Sequence, residues 1–354
     1  MVRLTILAAL ALIWAGGGAN AAGPADPHLI PEARQVLSYL HSIYGKRVLY
    51  GQATNHGPGV GEYPNAVATY KAAGKYPALV SIDLYGWNPP HWGSSYKTVL
   101  QAYIDGARKW WEERHGLVTM QYHWGSPLRP DGTAWVGDPK DAPHVDVGRV
   151  VTPGTEENRA AMEDLRQTAD YLQQLADARV PILFRPLHEI DGGWFWWTDR
   201  QKPENTAALW RMIYDYLVNR RKLHNLIWVY SAGVQKDPVE FRKRFYPGAQ
   251  YVDIAGVDIY SNQAGQDYHT DAYQNYYDVM KQVAPGKMLA LCECDTVPNP
   301  RVMASQGPMW LYCLPWWAPG KDNPPDWVKQ VANDPLMVTL DKLPALRKTD
   351  SRKH

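Results

Sequence analysis

Eight short apolar segments recur along the chain, and stretches with helical periodicity separate them. Each apolar segment has the length of one buried strand and is rich in aliphatic and aromatic residues. They are residues 48–52, 77–83, 116–123, 180–184, 225–230, 252–260, 287–293 and 308–317. Strands that alternate with helices are typical of parallel β-α-β units, and eight units predict closure into a barrel. The predicted fold class is therefore α/β, a single-domain (β/α)8 TIM barrel.

The intervening stretches predict six helices and two irregular segments. The helices are expected at residues 31–44, 96–115, 156–178, 203–222, 271–283 and 325–333. Residues 125–155 are predicted to form a long irregular loop, which in a compact domain is usually functional or disordered. The loop at residues 55–64 contains three glycines without the G-x-G-x-x-G spacing of a dinucleotide site, so we interpret it as a flexible rim.

The N-terminus has the three parts of a secretory signal. Arg3 supplies a positive charge, residues 4–15 are apolar but too few to span a bilayer, and Ala19-Asn-Ala21 fits the cleavage rule. The predicted organisation is a signal peptide at 1–21, an entry segment at 22–31, a catalytic domain at 32–346 and a polar tail at 347–354. With no cysteine near the cleavage site, the mature protein is expected to be secreted or periplasmic and not lipid-anchored.

Charge and aromatic content narrow the class of partner. The net charge is +1, from 37 basic and 36 acidic residues, so no electrostatic footprint for nucleic acid or an anionic membrane is expected. The chain has 16 Trp and 22 Tyr but only 4 Phe, an excess of rings with a polar atom. Such rings suit wet, amphipathic binding surfaces.

Ionisable and aromatic residues stand at or just after the C-terminal ends of several predicted strands. In (β/α)8 barrels the chemistry lies at the C-terminal ends of the strands. The residues found there are Asp83, His123, His188, Glu189, Asp258, Tyr260, Glu293, Trp316 and Trp317. This density of polar and aromatic groups predicts an active site at that rim.

Two glutamates stand after strands four and seven, which face each other across an eight-stranded barrel. Glycoside hydrolysis needs two carboxyl groups, one to protonate the leaving oxygen and one to attack or to activate water. Glu189 precedes Gly192-Gly193 and the aromatic run Trp194-Phe-Trp-Trp197, which can pack against sugar faces and raise a carboxyl pKa. The alternatives are an aromatic core plug for this stretch and a structural ion pair for Glu293.

The segment Arg185-Pro-Leu-His-Glu189 followed by Gly192-Gly-Trp-Phe-Trp-Trp197 resembles the acid/base segment of glycoside hydrolase family 26. That family is best known for endo-β-1,4-mannanases, and the resemblance extends from Gly51-Gln52 to Trp317. It implies that Glu189 is the acid/base and Glu293 the nucleophile of a double displacement with net retention. The expected partner is a polysaccharide, β-mannan foremost, with no cofactor, no metal and a monomeric chain.

The resemblance also implies sugar-binding roles for six further residues. His188 and Trp194 match positions near the point of cleavage, and His123 resembles a histidine on the −1 side. Asp258 and Tyr260 resemble an Asp-x-Tyr on strand six, whose tyrosine hydroxyl bonds the nucleophile. Trp316 resembles a platform under the −1 sugar. Asp83 and Trp135 are weaker matches.

The sequence around Glu293 departs from the family pattern because Cys292 and Cys294 flank it. Strand alternation predicts that both sulfurs lie on the face opposite Glu293. The pair lacks a second pair to complete a metal site.

Three other functions remain open. They are hydrolysis of β-1,3-xylan or mixed-linkage glucan on the same fold, carbohydrate binding without catalysis, and metal-dependent hydrolysis, although spacing such as H-E-x-x-H is missing.

Overall fold

The computed structural model is a closed parallel barrel surrounded by helices, as predicted. It describes residues 23–54, 63–84, 96–129, 132–136, 145–261, 265 and 267–346. Strand β1 pairs with β2 on one side and with β8 on the other, and each strand between them pairs with its neighbours in chain order. The strands are β1 Val48–Ala53, β2 Leu79–Asp83, β3 Leu117–Tyr122, β4 Ile182–Pro186, β5 Leu226–Ala232, β6 Ile254–Ile259, β7 Met288–Cys294 and β8 Tyr312–Pro315.

Helices pack around the strands and cover their outer faces. In the described residues they are α1 Pro31–Ile43, α2 Pro64–Ala73, α3 Tyr96–Glu112, α4 Val147–Val150, α5 Glu156–Asp177, α6 Pro203–Tyr214, α7 Val239–Lys243, α8 Gln274–Val283, α9 Pro300–Gln306 and α10 Pro325–Ala332. After α6 the chain continues through a wider helical stretch, Asp215–Arg220. A two-residue strand, β9 Met337–Val338, adds to the outside of β1.

All eight predicted strands are confirmed, and the last is the one whose bounds differ most from the prediction. The last was expected at 308–317, and β8 begins only at Tyr312. Residues 307–310 form tight turns, with Met309 N bonded to Gly307 O at 2.8 Å. Trp310 lies outside the strand but is buried, and its indole nitrogen donates to Ala272 O at 3.0 Å. The residues just before β8 are therefore apolar because they are buried, not because they form a strand.

Helix α2 was not predicted. Its buried positions are Asn65, Ala66, Thr69 and Ala73, which are small or polar and give no apolar periodicity. The polar ones are bonded inside the protein. Asn65 Nδ2 donates to Ala53 O at 2.9 Å, and Thr69 Oγ1 donates to Gln52 Oε1 at 3.0 Å.

The expectation that both cysteine sulfurs lie opposite Glu293 is wrong for Cys292. A register shift interrupts β7 between Leu291 and Cys294 and breaks the alternation of side chains. The Cys292 sulfur lies 3.1 Å from the Tyr312 hydroxyl, and a Cβ on Gly256 would meet that sulfur at 2.4 Å. Cys292 therefore packs inside the barrel. All three cysteines are buried and free.

The chain before α1 is bonded to the N-terminal end of the barrel, opposite the catalytic end. Ala25 N donates to Asp253 Oδ1 at 2.7 Å, and His224 Nδ1 lies 2.8 Å from Asp26 Oδ2. The side chain of Leu29 is buried in the core. The predicted signal peptide and polar tail lie outside the described residues, and among the helices that are described none is long and apolar enough to cross a membrane.

Candidate active site

Glu189 stands in a constrained turn directly after β4. Both Leu187 and Glu189 have positive φ angles, 52° and 49°, which residues with a side chain rarely adopt. Two backbone bonds fix the turn, from Gly192 N to Glu189 O at 2.8 Å and from Ile190 N to Ser231 O at 3.1 Å. Strain of this kind clusters at functional sites and persists only where surrounding contacts enforce it.

The Glu189 carboxyl group receives a hydrogen bond from the indole nitrogen of Trp194. Burial, followed by the charge of Asp258, raises the pKa of Glu189 to about 8. The Trp194 hydrogen bond and the Arg185 charge act in the opposite direction but are the weaker causes. Glu189 is therefore protonated at neutral pH and can donate that proton.

Glu293, near the end of β7, accepts two strong hydrogen bonds. The Tyr260 hydroxyl donates to Glu293 Oε2 at 2.8 Å, and Arg185 donates to Oε1. Burial, followed by the Asp258 charge, raises the pKa of Glu293 too, whereas Arg185 and the Tyr260 hydrogen bond lower it. Because Glu293 accepts from a cation and a phenol, and Glu189 from one indole, the ionised form is favoured on Glu293.

Arg185 connects these groups from inside the barrel. Its guanidinium donates to Asp258 Oδ2 at 2.7 Å and to Ser231 Oγ at 3.1 Å, and it also contacts Gln121 and Glu293. The Arg185 side chain is only 2% exposed. It therefore acts as a fixed positive charge beneath the two glutamates.

Asp258 was expected to bind sugar, and its contacts favour a different role. Both of its carboxylate oxygens accept from Arg185, at 2.9 and 2.7 Å, and Ser231 Oγ donates to Oδ1 at 2.7 Å. With a fully buried side chain, Asp258 positions Arg185 instead of facing the cleft.

The two glutamates meet across the barrel. Oxygens of Glu189, Glu293 and Asp258 all lie within 4.8 Å of one another. Carboxyl groups about 5–5.5 Å apart serve attack by one of them on the sugar, whereas those of inverting enzymes are about 6.5–9.5 Å apart. The same three carboxyl groups could hold a metal ion, but the Arg185 guanidinium already contacts two of them. The arrangement therefore fits an internal cation rather than a metal centre.

Two histidines line the cleft beside Glu189. The His123 ring lies 4.9 Å from that of His188, and His123 Nδ1 is 3.2 Å from Asp83 Oδ2. Burial, followed by the proximity of His123, lowers the pKa of His188 well below its usual value. His188 is therefore neutral and can exchange hydrogen bonds with a hydroxyl group.

The aromatic run after Gly193 divides into a cleft residue and a core. Trp194 is half-buried, whereas Phe195, Trp196 and Trp197 are all buried. Phe195 stacks on Trp197, with ring centroids 4.3 Å apart, and pairs with the backbone of Trp135 in the preceding loop. The Trp135 side chain is 47% exposed, and its ring lies 6.4 Å from that of His123.

Two tryptophans directly after β8 add aromatic surface to the site. Trp316 is half-buried and Trp317 is 46% exposed. Trp317 and Tyr260 border a cavity of about 400 Å³, together with Tyr268 and Asp295. The predicted residues Glu189, Glu293, Tyr260 and Trp194 lie together, joined by two hydrogen bonds and by the approach of the two carboxyl groups.

Arg185 was quoted in the motif but received no predicted role. The signal was a charged residue inside an apolar strand, since a buried arginine requires a partner. Its partners Gln121 and Ser231 gave no such signal, because polar residues of this kind are common on any strand.

Comparison with known proteins gives a consistent family. The model of glycosyl hydrolase family 26 matches residues 25–342. A mannan endo-1,4-beta-mannosidase of Thermothelomyces thermophilus is 32% identical over 328 residues, covering 90% of this chain and 62% of that protein. A Piromyces relative, mannan endo-1,4-beta-mannosidase B, is 30% identical over 295 residues, and the match covers 82% of this chain and 48% of the relative.

Solved structures agree with the fold. A beta-mannanase from a symbiotic protist of the termite Reticulitermes speratus, complexed with gluco-manno-oligosaccharide, has a TM-score of 0.79 and 31% identity. The match covers 91% of this chain and 98% of that one. A ruminal endo-beta-1,4-mannanase has a TM-score of 0.80 and 26% identity, covering 92% and 71%. The chain spans about half to three fifths of the length of the mannan endo-1,4-beta-mannosidases to which it is similar in sequence. The chain belongs to glycosyl hydrolase family 26.

Proposed function

We propose that this protein is a retaining endo-β-1,4-mannanase that cleaves mannan or galactomannan. The observation that carries the proposal is the pair of opposed carboxyl groups, with oxygens of Glu189 and Glu293 within 4.8 Å. That spacing agrees with the separation of about 5–5.5 Å at which one carboxylate attacks the sugar directly, and not with the wider separation, about 6.5–9.5 Å, that accommodates an attacking water. The relatives named as mannanases, and the one solved with gluco-manno-oligosaccharide, support β-mannan as the substrate class.

The first step forms a covalent intermediate. Glu189 donates its proton to the glycosidic oxygen while the Glu293 carboxylate attacks the anomeric carbon, so the leaving chain departs as a neutral alcohol. Tyr260 and Arg185 orient the Glu293 carboxylate for this attack through their hydrogen bonds.

The second step releases the sugar. Glu189, now ionised, removes a proton from water, and the water oxygen attacks the anomeric carbon from the face that the leaving group vacated. The Glu293–sugar bond breaks and regenerates the carboxylate. Two inversions give net retention of the anomeric configuration.

The sugar-binding roles follow from the walls of the cleft. His188 and His123 contact hydroxyl groups of the sugar at the cleavage point, and Trp316 packs against that sugar's apolar face. Trp194 combines a contact with the sugar with its hydrogen bond to Glu189.

A substrate panel tests the proposal. Purified protein is incubated with β-mannan, galactomannan, β-1,3-xylan and mixed-linkage glucan, and released reducing ends are counted. We expect release from both mannans and a rapid fall in their viscosity, as internal cleavage requires. The control is Glu293→Ala, which should be inactive on all four. Preferential release from xylan or mixed-linkage glucan would assign a different substrate, and no release from any polymer would contradict the proposal.

We further propose that the mature chain begins near Ala22 and acts outside the cytoplasm as a monomer. The N-terminal features of residues 1–21 support export. Mass spectrometry of the protein recovered from its host tests the cleavage site, and light scattering tests the monomer. A mature protein that retains Met1 to Ala21 would contradict the export proposal.

A further inference from the structure

A buried ion pair lies behind Glu189 and takes no part in the chemistry described above. Arg242 Nε donates to Asp191 Oδ2 at 2.6 Å. Their side chains are 2% and 0% exposed. A buried pair gains little net stability over apolar residues of similar size, because both charges lose their hydration. Its contacts therefore point to a geometric role.

The pair joins the loop after β4, which carries Asp191, to helix α7, which follows β5 and carries Arg242. Gly233 N donates to Asp191 Oδ1 at 2.7 Å, and Arg242 Nη2 donates to Gly233 O at 2.8 Å. Arg242 Nη1 reaches Gln235 O at 3.1 Å, and Gln235 Nε2 reaches Gly192 O at 3.1 Å. Asp191 and Gly192 of the loop after β4 are thus bonded to Gly233, Gln235 and Arg242 of the segment that follows β5.

Trp194 lies directly on the backbone that this network fixes. A Cβ on Gly192 would meet the indole at 2.5 Å, and one on Gly233 would meet it at 3.2 Å. Both loops must therefore approach the ring closely, without side chains. From this position the indole nitrogen donates to Glu189, whose backbone has a positive φ of 49°.

We propose that Asp191 and Arg242 are positioning residues, which keep the Trp194 indole against Glu189 and so aim the Glu189 proton at the glycosidic oxygen. The proposal rests on the proposed function, because it requires Glu189 to be the acid. A loosened network lets Trp194 and Glu189 leave the reactive geometry. The expected defect is in proton donation, not in attack by Glu293.

The test compares substrates that differ in their need for an acid. The variant Arg242→Met is assayed on a manno-oligosaccharide and on a dinitrophenyl β-mannoside, whose leaving group needs no proton. We expect kcat/KM to fall roughly 10–100-fold on the oligosaccharide, which is part of the roughly 10²–10⁴-fold that acid catalysis contributes because Glu189 itself is retained, and by less than about threefold on the aryl substrate. Trp194→Phe, which removes the indole N–H, gives the reference for this split.

A matched control exists on the same side of the barrel. Arg244 pairs with Glu204 at 2.7 Å, but both side chains are exposed, so Arg244→Met should leave both rates unchanged. Gly233→Ala is the second variant, in case Arg242→Met does not fold. Its new Cβ would press against Trp194 without removing a charge, and we expect the same split between substrates.

The outcomes separate the alternatives. Equal losses on both substrates in a folded Gly233→Ala or Arg242→Met protein would indicate a general structural role and overturn the proposal. Unchanged rates on both substrates in a folded variant would overturn it too. A wild-type protein that is inactive on both substrates would instead refute the proposed function, and this inference with it.

Discussion

Three carboxyl groups lie around one guanidinium at the C-terminal end of the barrel, and two of them bond to it. If Glu189, Asp258 and Glu293 were all ionised, Arg185 would balance only one of their charges in a largely buried site. Burial makes such an excess costly, so a proton is retained. The hydrogen bonds decide where it resides, because Asp258 and Glu293 each accept from Arg185 and Glu189 does not. The proton therefore resides on Glu189, as an acid catalyst requires.

This distribution predicts the alkaline limb of the pH profile. Glu189 acts only while protonated, and its pKa is raised to about 8. The value of kcat/KM for a manno-oligosaccharide should therefore fall as pH rises through about 8. A dinitrophenyl mannoside, which needs no acid, should lack that limb under the same conditions. A limb of equal size for both substrates would assign it to another group.

The variant Tyr260→Phe tests the role of the hydrogen bond from the Tyr260 hydroxyl to the proposed nucleophile, Glu293. It removes the 2.8 Å hydrogen bond to Glu293 Oε2, and that bond lowers the pKa of Glu293. We expect kcat/KM to fall about 10–100-fold, because a hydrogen bond to a charged group is worth about 1.5–3 kcal/mol. Since Glu293 must be ionised to attack, the acid limb should move to higher pH. Tyr268→Phe, in the same cavity but without a bond to either glutamate among the contacts described, is the control. An unmoved acid limb would contradict this role.

At the residue scale, the strand pattern predicted the position of a site residue where that residue type has one plausible chemical role. Glutamates after strands four and seven and a tyrosine two residues after Asp258 could be placed from the strand pattern. Asp258 could not, because nothing in the sequence shows that an arginine from β4 occupies both of its oxygens. The Asp191–Arg242 pair could not be predicted for the same reason, since it joins a loop to a helix 51 residues further along the chain.

At the element scale, helix α5 contains a half-buried acid, Asp164, whose ionised form opposes folding at high pH. Burial raises the pKa of Asp164 to about 7, although Trp124 Nε1 donates to it at 2.8 Å. An acid with a raised folded pKa binds protons better in the folded state. Its contribution to the free energy of unfolding is therefore largest at low pH and is lost between about pH 4 and about pH 7.

Asp164→Asn should remove this penalty. Asparagine can still accept from the Trp124 indole but carries no charge, so we expect a higher Tm than wild type at pH 8. The relief is at most about 4 kcal/mol, at about 1.4 kcal/mol per pKa unit. At pH 4 the two proteins should differ little. Asp170→Asn, at an exposed ion pair on the same helix, is the control. An equal Tm difference at both pH values would contradict the account.

Regular elements were predictable where burial followed a period, and irregular ones were not. Helix α5 has leucines and alanines on one face, whereas α2 buries Asn65 and Thr69, which no apolar pattern reveals. The bulge in β7 reversed the expected side of Cys292 for a similar reason. A bulge depends on how a strand pairs with its neighbours, and the alternation of residues within one strand does not reveal that pairing.

At the scale of the whole molecule, the segment before α1 closes the end of the barrel that is remote from the cleft. A protein that starts at Pro31 instead of Gly23 should have a lower Tm. It loses the Ala25–Asp253 and Asp26–His224 hydrogen bonds and the burial of Leu29, about 1.5–3 kcal/mol for the leucine alone. We expect kcat/KM at a temperature where both proteins are folded to be unchanged. Equal Tm values would show that this segment does not stabilise the barrel.

The barrel was the most predictable level of the molecule, because eight repeats leave few other ways to bury eight apolar strands. The loops that shape the cleft were the least predictable. Trp135 lies beside Phe195 only because two loops pair through their backbones, with Val136 N bonded to Trp194 O at 2.7 Å. Residues 55–62, 85–95 and 137–144 lie outside the described residues, and most of the loop at 55–64 that was interpreted as a flexible rim lies among them.

The most direct measurement is the configuration of the first product. Hydrolysis of a manno-oligosaccharide is followed by proton NMR from the first seconds, before the new reducing end mutarotates. Two carboxyl groups within 4.8 Å predict that the β anomer appears first and the α anomer follows by mutarotation. Initial formation of the α anomer would mean single displacement by water, and would contradict the assignment of Glu293 as the attacking group.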